Sequence, residues 1–222
     1  MRSFKEIHAI AAKRKGGDKA LEALLDKPVS PATLTKRPSS AWLEAMAKAL
    51  FQAGFNWTLI EEKWPVFQSA FGGFEVTTVA HYSDADLDRL LADAAIVRNG
   101  AKISAVIKNA QFLLQLESDH GSASKYLASW PSDRHHELLE LFAKSGARLG
   151  GVTGQRVCRS VGKDGYVLSA DVCKRLSAEG VIDKAPTSRS AMNAVQGAFN
   201  QWREESGRSL TEISQILARS VD

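Results

Sequence analysis

Apolar positions along this chain recur mostly three and four residues apart, the period of a helix with one buried face. Trp42, Met46, Ala49 and Ala53 share such a face over Ala41 to Ala53, with Glu44 and Lys48 turned elsewhere. Ser39 or Ser40 stands where a cap is needed. Trp57, Ile60, Trp64 and Phe67 repeat the pattern from Asn56 to Phe71, where Pro65 is expected to kink or divide the helix. Ser83 lies three residues before Asp86, and Leu87, Leu90 and Leu91 follow, which reads as a capped helix start. Asn99-Gly100 marks a turn before an apolar-faced helix from Ile103 to Leu116. Ser122 to Trp130 stops at Pro131, and Arg134 to Ser145 ends near Gly146. Beyond Gly151 the pattern predicts helices over Gly154 to Val161, Ala170 to Glu179, Ser188 to Ser206 and Ser209 to Arg219. Only Phe74 to Val79 reads as a short strand. The expectation is an all-α chain of about ten helices with short connections. Three parts are expected: an N-terminal helix with an irregular connector over 1–40, a helical core over 41–187, and a C-terminal helical extension over 188–222 that packs on the core.

Composition narrows the class. A chain of 222 residues, 44% hydrophobic and 24% charged, can bury a sizeable core and is not globally disordered. No apolar run of about 18 residues exists to span a membrane. Met1 to Glu6 lacks the apolar core of a signal peptide. Cys158 and Cys173 cannot form a disulfide framework or a four-thiolate zinc site, and they suit a reducing compartment. A cytoplasmic protein without a metal or other cofactor is therefore expected.

The net charge of +4 conceals an uneven distribution. Residues 1–40 carry +5, and so do residues 144–175, leaving the rest acidic. The second window holds Lys144, Arg148, Arg156, Arg159, Lys163, Lys174 and Arg175 against Asp164 and Asp171. Glycines are interleaved with these charges, which favours a polyanion-facing surface over a merely solvated one.

Within that window lies Leu149-Gly150-Gly151-Val152-Thr153-Gly154-Gln155-Arg156-Val157. Small residues let backbone approach a phosphate, and the new helix offers unpaired N–H groups and a positive dipole end. Arg156 and Arg159 add side-chain charge. This is the logic of a helix–hairpin–helix that grips DNA backbone near 144–162 without reading sequence. A tight corner between two helices is the competing reading.

Leu149 to Leu176 resembles the helix–hairpin–helix region of base-excision DNA glycosylases in the endonuclease III superfamily. Gly151 and Val152 match its Leu-Pro-Gly-Val-Gly motif, Thr153 stands at the second glycine, and Gly154 follows. Gln155 occupies the position of the Schiff-base lysine in the lyase members, so the resemblance implies a monofunctional enzyme. The catalytic aspartate position aligns with Ser169, and Asp171 lies two residues on.

A narrower likeness runs from about Trp42 to Asp183. Gln52-Ala53-Gly54-Phe55-Asn56-Trp57 and Ala95-Ile96-Val97-Arg98-Asn99-Gly100-Ala101-Lys102-Ile103 are similar to the paired motifs of the DNA-3-methyladenine glycosylase I family. The fold this implies is a two-lobed, all-α helix–hairpin–helix glycosylase fold. The implied activity is flipping and hydrolytic excision of alkylated purines such as 3-methyladenine from damaged double-stranded DNA. Trp57 matches the tryptophan that stacks on the base, and an indole face attracts a cationic alkylpurine. Phe51, Asn56 and Trp42 complete the expected base pocket. Gly54 and Phe55 match the turn that wedges into the duplex. Gly151, Val152, Thr153, Gly154, Gln155, Arg156, Arg98 and Lys102 are the expected backbone contacts, the last two alternatively fixing the Asn99-Gly100 turn. Asp171 is the carboxylate assigned to catalysis, with an N-cap as its rival role. Glu44 and Glu61 are alternative carboxylates.

Two family features are missing. Ala49 stands where the family has its base-recognising glutamate, and Val181-Ile182-Asp183-Lys184 ends on lysine where a zinc-ligating histidine belongs. The resemblance thus implies a zinc-free branch acting as a nucleoid-associated monomer. The alternatives are a lesion-binding protein without chemistry and a helical interaction module. His135-His136 is expected to be a solvated pair.

Overall fold

The computed structural model describes residues 1–221, and the fold is all-α among them, with no strand. Fourteen α-helices follow in order: α1 (Phe4–Lys15), α2 (Asp18–Glu22), α3 (Pro31–Leu34), α4 (Ser39–Gln52), α5 (Trp57–Ala70), α6 (Val76–Ala80) and α7 (Asp84–Ala92). Then come α8 (Gly100–His120), α9 (Ala123–Ser129), α10 (His135–Ser145), α11 (Val152–Ser160), α12 (Ala170–Ala178), α13 (Arg189–Ser206) and α14 (Leu210–Arg219). The expected strand at Phe74 to Val79 is instead a 3-10 turn, Gly72–Phe74, leading into α6. The connector within 1–40 contains two short helices, α2 and α3.

Local signals account for most boundaries. Ser83 and Asp86 form the expected capping box of α7, and Ser209 with Glu212 forms another at α14. Asn99 caps α8 and Asn56 caps α5. Neither serine caps α4. Pro38 holds the cap position, and the Ser39 hydroxyl donates instead to Glu117. Pro65 leaves α5 undivided because it lies on the exposed side, where the carbonyl it deprives of an N–H can be hydrated.

The described residues divide into two compact units along boundaries other than the three parts expected. One unit comprises 1–29, 130–138 and 162–222, so the N- and C-terminal segments share a core. In it α14 packs against α1, α12 and α13, burying Ile7, Leu176, Phe199, Trp202, Ile213 and Ile216. His135 and Tyr166 meet edge to face at 4.8 Å in this core. His135 is wholly buried and His136 half-buried, which corrects the expectation of a solvated pair. Lys163 is buried too and donates to the Trp130 carbonyl at 2.7 Å. Buried Arg175 pairs with Glu179 at 3.1 Å and donates from Nε to the Ser220 hydroxyl at 2.8 Å. Two of the seven cations in the 144–175 window therefore hold this unit together and face no polyanion.

The other unit comprises 30–129 and 139–161. Its centre is α4, packed against α5, α8 and α11, with α8 also carrying α6, α7 and α9. Phe51, Trp64, Phe67, Phe71 and Phe74 form a stacked aromatic core, with Phe51 and Phe67 centred 4.6 Å apart. Among the described residues no helix is long and apolar enough to cross a membrane.

Candidate nucleic-acid interface

The second unit presents a turn at the end of α4. Gly54 holds φ +74°, a left-handed conformation that L side chains rarely adopt. The chain then reverses, and the Asn56 carboxamide oxygen accepts from the N–H groups of Thr58 and Leu59 at 2.9 and 3.4 Å to start α5. Phe55 and Trp57 project outward, 39% and 46% exposed. Exposed rings of this size carry a large desolvation incentive, so the tip suits an aromatic or base-lined partner.

Lys102 braces this turn from α8. Its ammonium donates to the Ala53 carbonyl at 2.7 Å and the Phe51 carbonyl at 3.4 Å, and lies 4.3 Å from the Phe55 ring centre. A cation at the C-terminal end of α4 also meets that helix's negative dipole end. Burial, and then the charge of Arg148, pull its pKa below the usual lysine value. The expected phosphate contact is thus replaced by an inward structural role. Lys102→Met is expected to loosen the turn, raising amide exchange over Ala53 to Asn56, and to weaken duplex affinity without changing its salt dependence. A phosphate-contacting lysine would instead reduce the salt slope by about one.

Beside the tip, α10 turns into α11. Helix α11 starts at Val152, two residues before the expected Gly154, with Gly151 at φ +60° and ψ −139° preceding it. Its unpaired N–H groups thus belong to Val152, Thr153 and Gly154, on a corner whose Gly150 and Gly151 are exposed. Gly154 faces the corner's interior: a Cβ there would lie 2.4 Å from the Leu149 carbonyl. Gln155 is buried as well. Asn109, fully buried in α8, accepts from the Ala147 N–H at 2.7 Å and donates to the Ala147 carbonyl at 3.2 Å. Asn109 was not among the expected residues, and its signal was a carboxamide on the apolar face of Ile103, Val106, Ala110 and Leu113.

A side-chain contact joins the tip to this corner, whose helix α11 also packs on α4. The Arg156 guanidinium lies 4.2 Å from the centre of the Trp57 ring. Burial pulls its pKa down, yet guanidinium remains charged at neutral pH.

Other expected pocket residues are elsewhere. Trp42 is wholly buried, its indole N–H donating to the Ser124 hydroxyl at 3.1 Å, so it is core. Phe51 is wholly buried beneath Lys102 and against Phe67. A periodic aromatic face does not distinguish a core from a pocket wall. Glu44 accepts from Trp64 and Gln68, both at 2.7 Å, and Glu61 pairs with Lys48 at 2.6 Å. Arg98 is exposed just before the α8 cap. Ser169, not Asp171, caps α12, accepting from the Val172 N–H at 3.3 Å. Asp171 lies in the first turn of α12 in the other unit, half exposed, 3.8 Å from Lys174.

The donor set for the family's structural zinc does not fit this chain. Among the described residues no three His, Cys, Asp or Glu side chains gather. Cys158 is buried in α11, and burial in α12 pushes the Cys173 thiol up, against metal ligation.

Residues 35–147, just over half the chain, match the family model described as methyladenine glycosylase. That segment carries Phe51 to Trp57 and Arg98 to Lys102. DNA-3-methyladenine glycosylase 1 of Escherichia coli (strain K12) is 37% identical over 68 residues, 31% of this chain and 36% of that protein. DNA-3-methyladenine glycosylase of Haemophilus influenzae is 28% identical over 88 residues, 40% of this chain and 46% of that protein. The chain thus spans less than half the length of these curated relatives. The solved 3-methyladenine DNA glycosylase I from Staphylococcus aureus superposes with a TM-score of 0.50 at 28% identity, covering 56% of this chain and 77% of that one. A 3-methyladenine DNA glycosylase I solved in complex with 3-methyladenine gives the same score and identity over 57% and 80%. By the extent of the family match, which includes the tip and its lysine brace, this chain belongs to the methyladenine glycosylase family.

Proposed function

We propose that this protein is a monofunctional DNA glycosylase that excises alkylated purines such as 3-methyladenine by hydrolysing the N-glycosidic bond. The observation that carries this reading is the outward Gly54-Phe55-Asn56-Trp57 tip beside the α11 corner, within a chain of this family. Phe55 fills the gap left by the flipped nucleotide, and Trp57 stacks on the extruded base. The corner at Gly151, Val152 and Thr153 holds the backbone by its N–H groups, with Arg156 and Arg98 adding charge. A cationic alkylpurine is already a good leaving group, so the remaining task is to stabilise an oxocarbenium-like sugar or orient water. We assign that task to Asp171, whose carboxylate is released from capping by Ser169. Gln155, where the lyase members carry lysine, supplies no amine for Schiff-base chemistry. The protein acts on damaged duplex DNA as a monomer in the cytoplasm, at the nucleoid.

Methylated duplex DNA incubated with the protein tests this reading by the free bases released. Release of 3-methyladenine is expected, falling about tenfold or more in Trp57→Ala, the size of one base–aromatic stack, and falling in Asp171→Asn. Tight lesion binding without release overturns the enzyme reading. Unchanged release in Asp171→Asn overturns only that assignment.

A further inference from the structure

The Arg156–Trp57 contact has a consequence beyond holding the corner beside the tip. Arg156 is half-buried, and its charge has no carboxylate within ion-pair distance among the described residues. The glutamates on α4 and α5 with described bonds are committed elsewhere: Glu44 to Trp64 and Gln68, Glu61 to Lys48 and Gln52. The guanidinium is therefore held chiefly by the indole face, an attraction real but weak enough to be exchanged. It also sits one turn into α11, close behind the first N–H groups of that helix, on the half-buried Val152 and Thr153.

We infer that Arg156 is a specificity-determining latch, stacked on Trp57 in the free protein and transferred to a backbone phosphate when DNA binds. A base that takes the latched face of Trp57 must eject the guanidinium. A free base or nucleoside offers it nothing in exchange and bears the whole loss. A base still attached to DNA arrives with phosphates, and a charge-assisted guanidinium–phosphate pair is stronger than the contact given up. Occupancy of the platform is thereby coupled to duplex binding, and the coupling is reciprocal. After hydrolysis the free base competes with the returning latch, which favours its departure. The substrate class selected is a base within a polynucleotide, against free bases and mononucleosides. This inference rests on Trp57 being the base platform.

The test measures two affinities on the full-length protein: free 3-methyladenine, by quenching of indole fluorescence, and an undamaged duplex over a salt series. Arg156→Ala is expected to bind 3-methyladenine about three- to tenfold more tightly, the size of one partly exposed cation–π contact. The same variant is expected to bind duplex more weakly, with a salt slope reduced by about one. Arg156→Lys, which keeps the charge but loses the planar stack, is expected to retain the slope while still gaining affinity for the free base. A residue that merely supports the fold would shift both affinities in the same direction, and that outcome overturns the latch. Equal binding of the free base by the parent and Arg156→Ala also overturns it. No binding of 3-methyladenine by either, or binding that survives Trp57→Ala, overturns the platform itself.

Discussion

Gly154→Ala is expected to destabilise the unit that carries the tip by about 3 kcal/mol, lowering Tm by on the order of 10 °C. An added Cβ would lie 2.4 Å from the Leu149 carbonyl oxygen and 3.2 Å from a Phe142 ring carbon. The first neighbour is backbone and cannot rotate away, so the corner itself must open. Opening it would carry Arg156 away from Trp57, and duplex affinity is expected to fall with stability. Two neighbouring glycines supply a graded comparison under thermal denaturation. Gly150→Ala would meet only the Ala143 Cβ at 3.8 Å, an ordinary contact, and is expected to be nearly neutral. Gly151→Ala finds open space but holds φ +60°, so a cost of about 1 kcal/mol from backbone strain is expected. Equal effects at all three positions would show that the close approach at Gly154 is not what shapes the corner.

Glu179→Gln is expected to destabilise the other unit by about 3 kcal/mol and to flatten its response to acid. Glu179 is buried at the end of α12, and its carboxylate accepts from the Arg2 N–H and guanidinium, both at 2.7 Å, and from Arg175 at 3.1 Å. Arg175 is itself buried and held by Ser220, so the network ties the N-terminal segment and the segment after α14 to α12. Removing the carboxylate leaves the Arg175 charge buried and uncompensated, which costs far more than the intact pair gains. Burial pushes the Glu179 carboxyl up, but the bonds from Arg2 and Arg175 outweigh it and hold the pKa below the usual value. A depressed folded-state pKa contributes stability that is full above the unfolded value, about 4.3 for glutamate, and is lost as pH falls through the folded one. Denaturation midpoints followed from neutral pH downward should therefore drop more steeply in the parent than in Glu179→Gln. Parallel curves would remove the network from the account of acid stability.

Local structure was legible in part where its cause is local, although neither Ser39 nor Ser40 caps α4 and Ser169 takes the cap of α12 in place of Asp171. The capping box at Ser83 and the glycine-bearing turns at Gly54 and Gly151 depend on neighbours within a few residues, as do the Ser209 box and the Asn56 and Asn99 caps that the structure adds. The helical period fixed the all-α class, and the paired motifs singled out Phe55 for a wedge turn and Trp57 for a base pocket, two side chains that the structure leaves exposed. Periodicity could not say which aromatic positions line a site. Trp42 and Phe51 share the character of Trp57 in sequence, yet the packing of α4 against α5, α8 and α11 buries both.

The charge pattern divides in the same way. The sequence by itself determined that basic residues cluster over 144–175, that glycines interrupt them, and that the whole is a helical chain of this family. Which of those charges face outward was decided by tertiary structure alone. Lys163 and Arg175 turn inward to the Trp130 carbonyl and to Glu179, and Lys102 turns inward to brace the Gly54 turn. Arg156 alone of these meets Trp57, a partner far away along the chain. The physical reason is the range of the forces involved. Caps and turns are set by bonds between near neighbours, whereas the fate of a cation depends on whether folding brings a carbonyl, a carboxylate or an indole face to it.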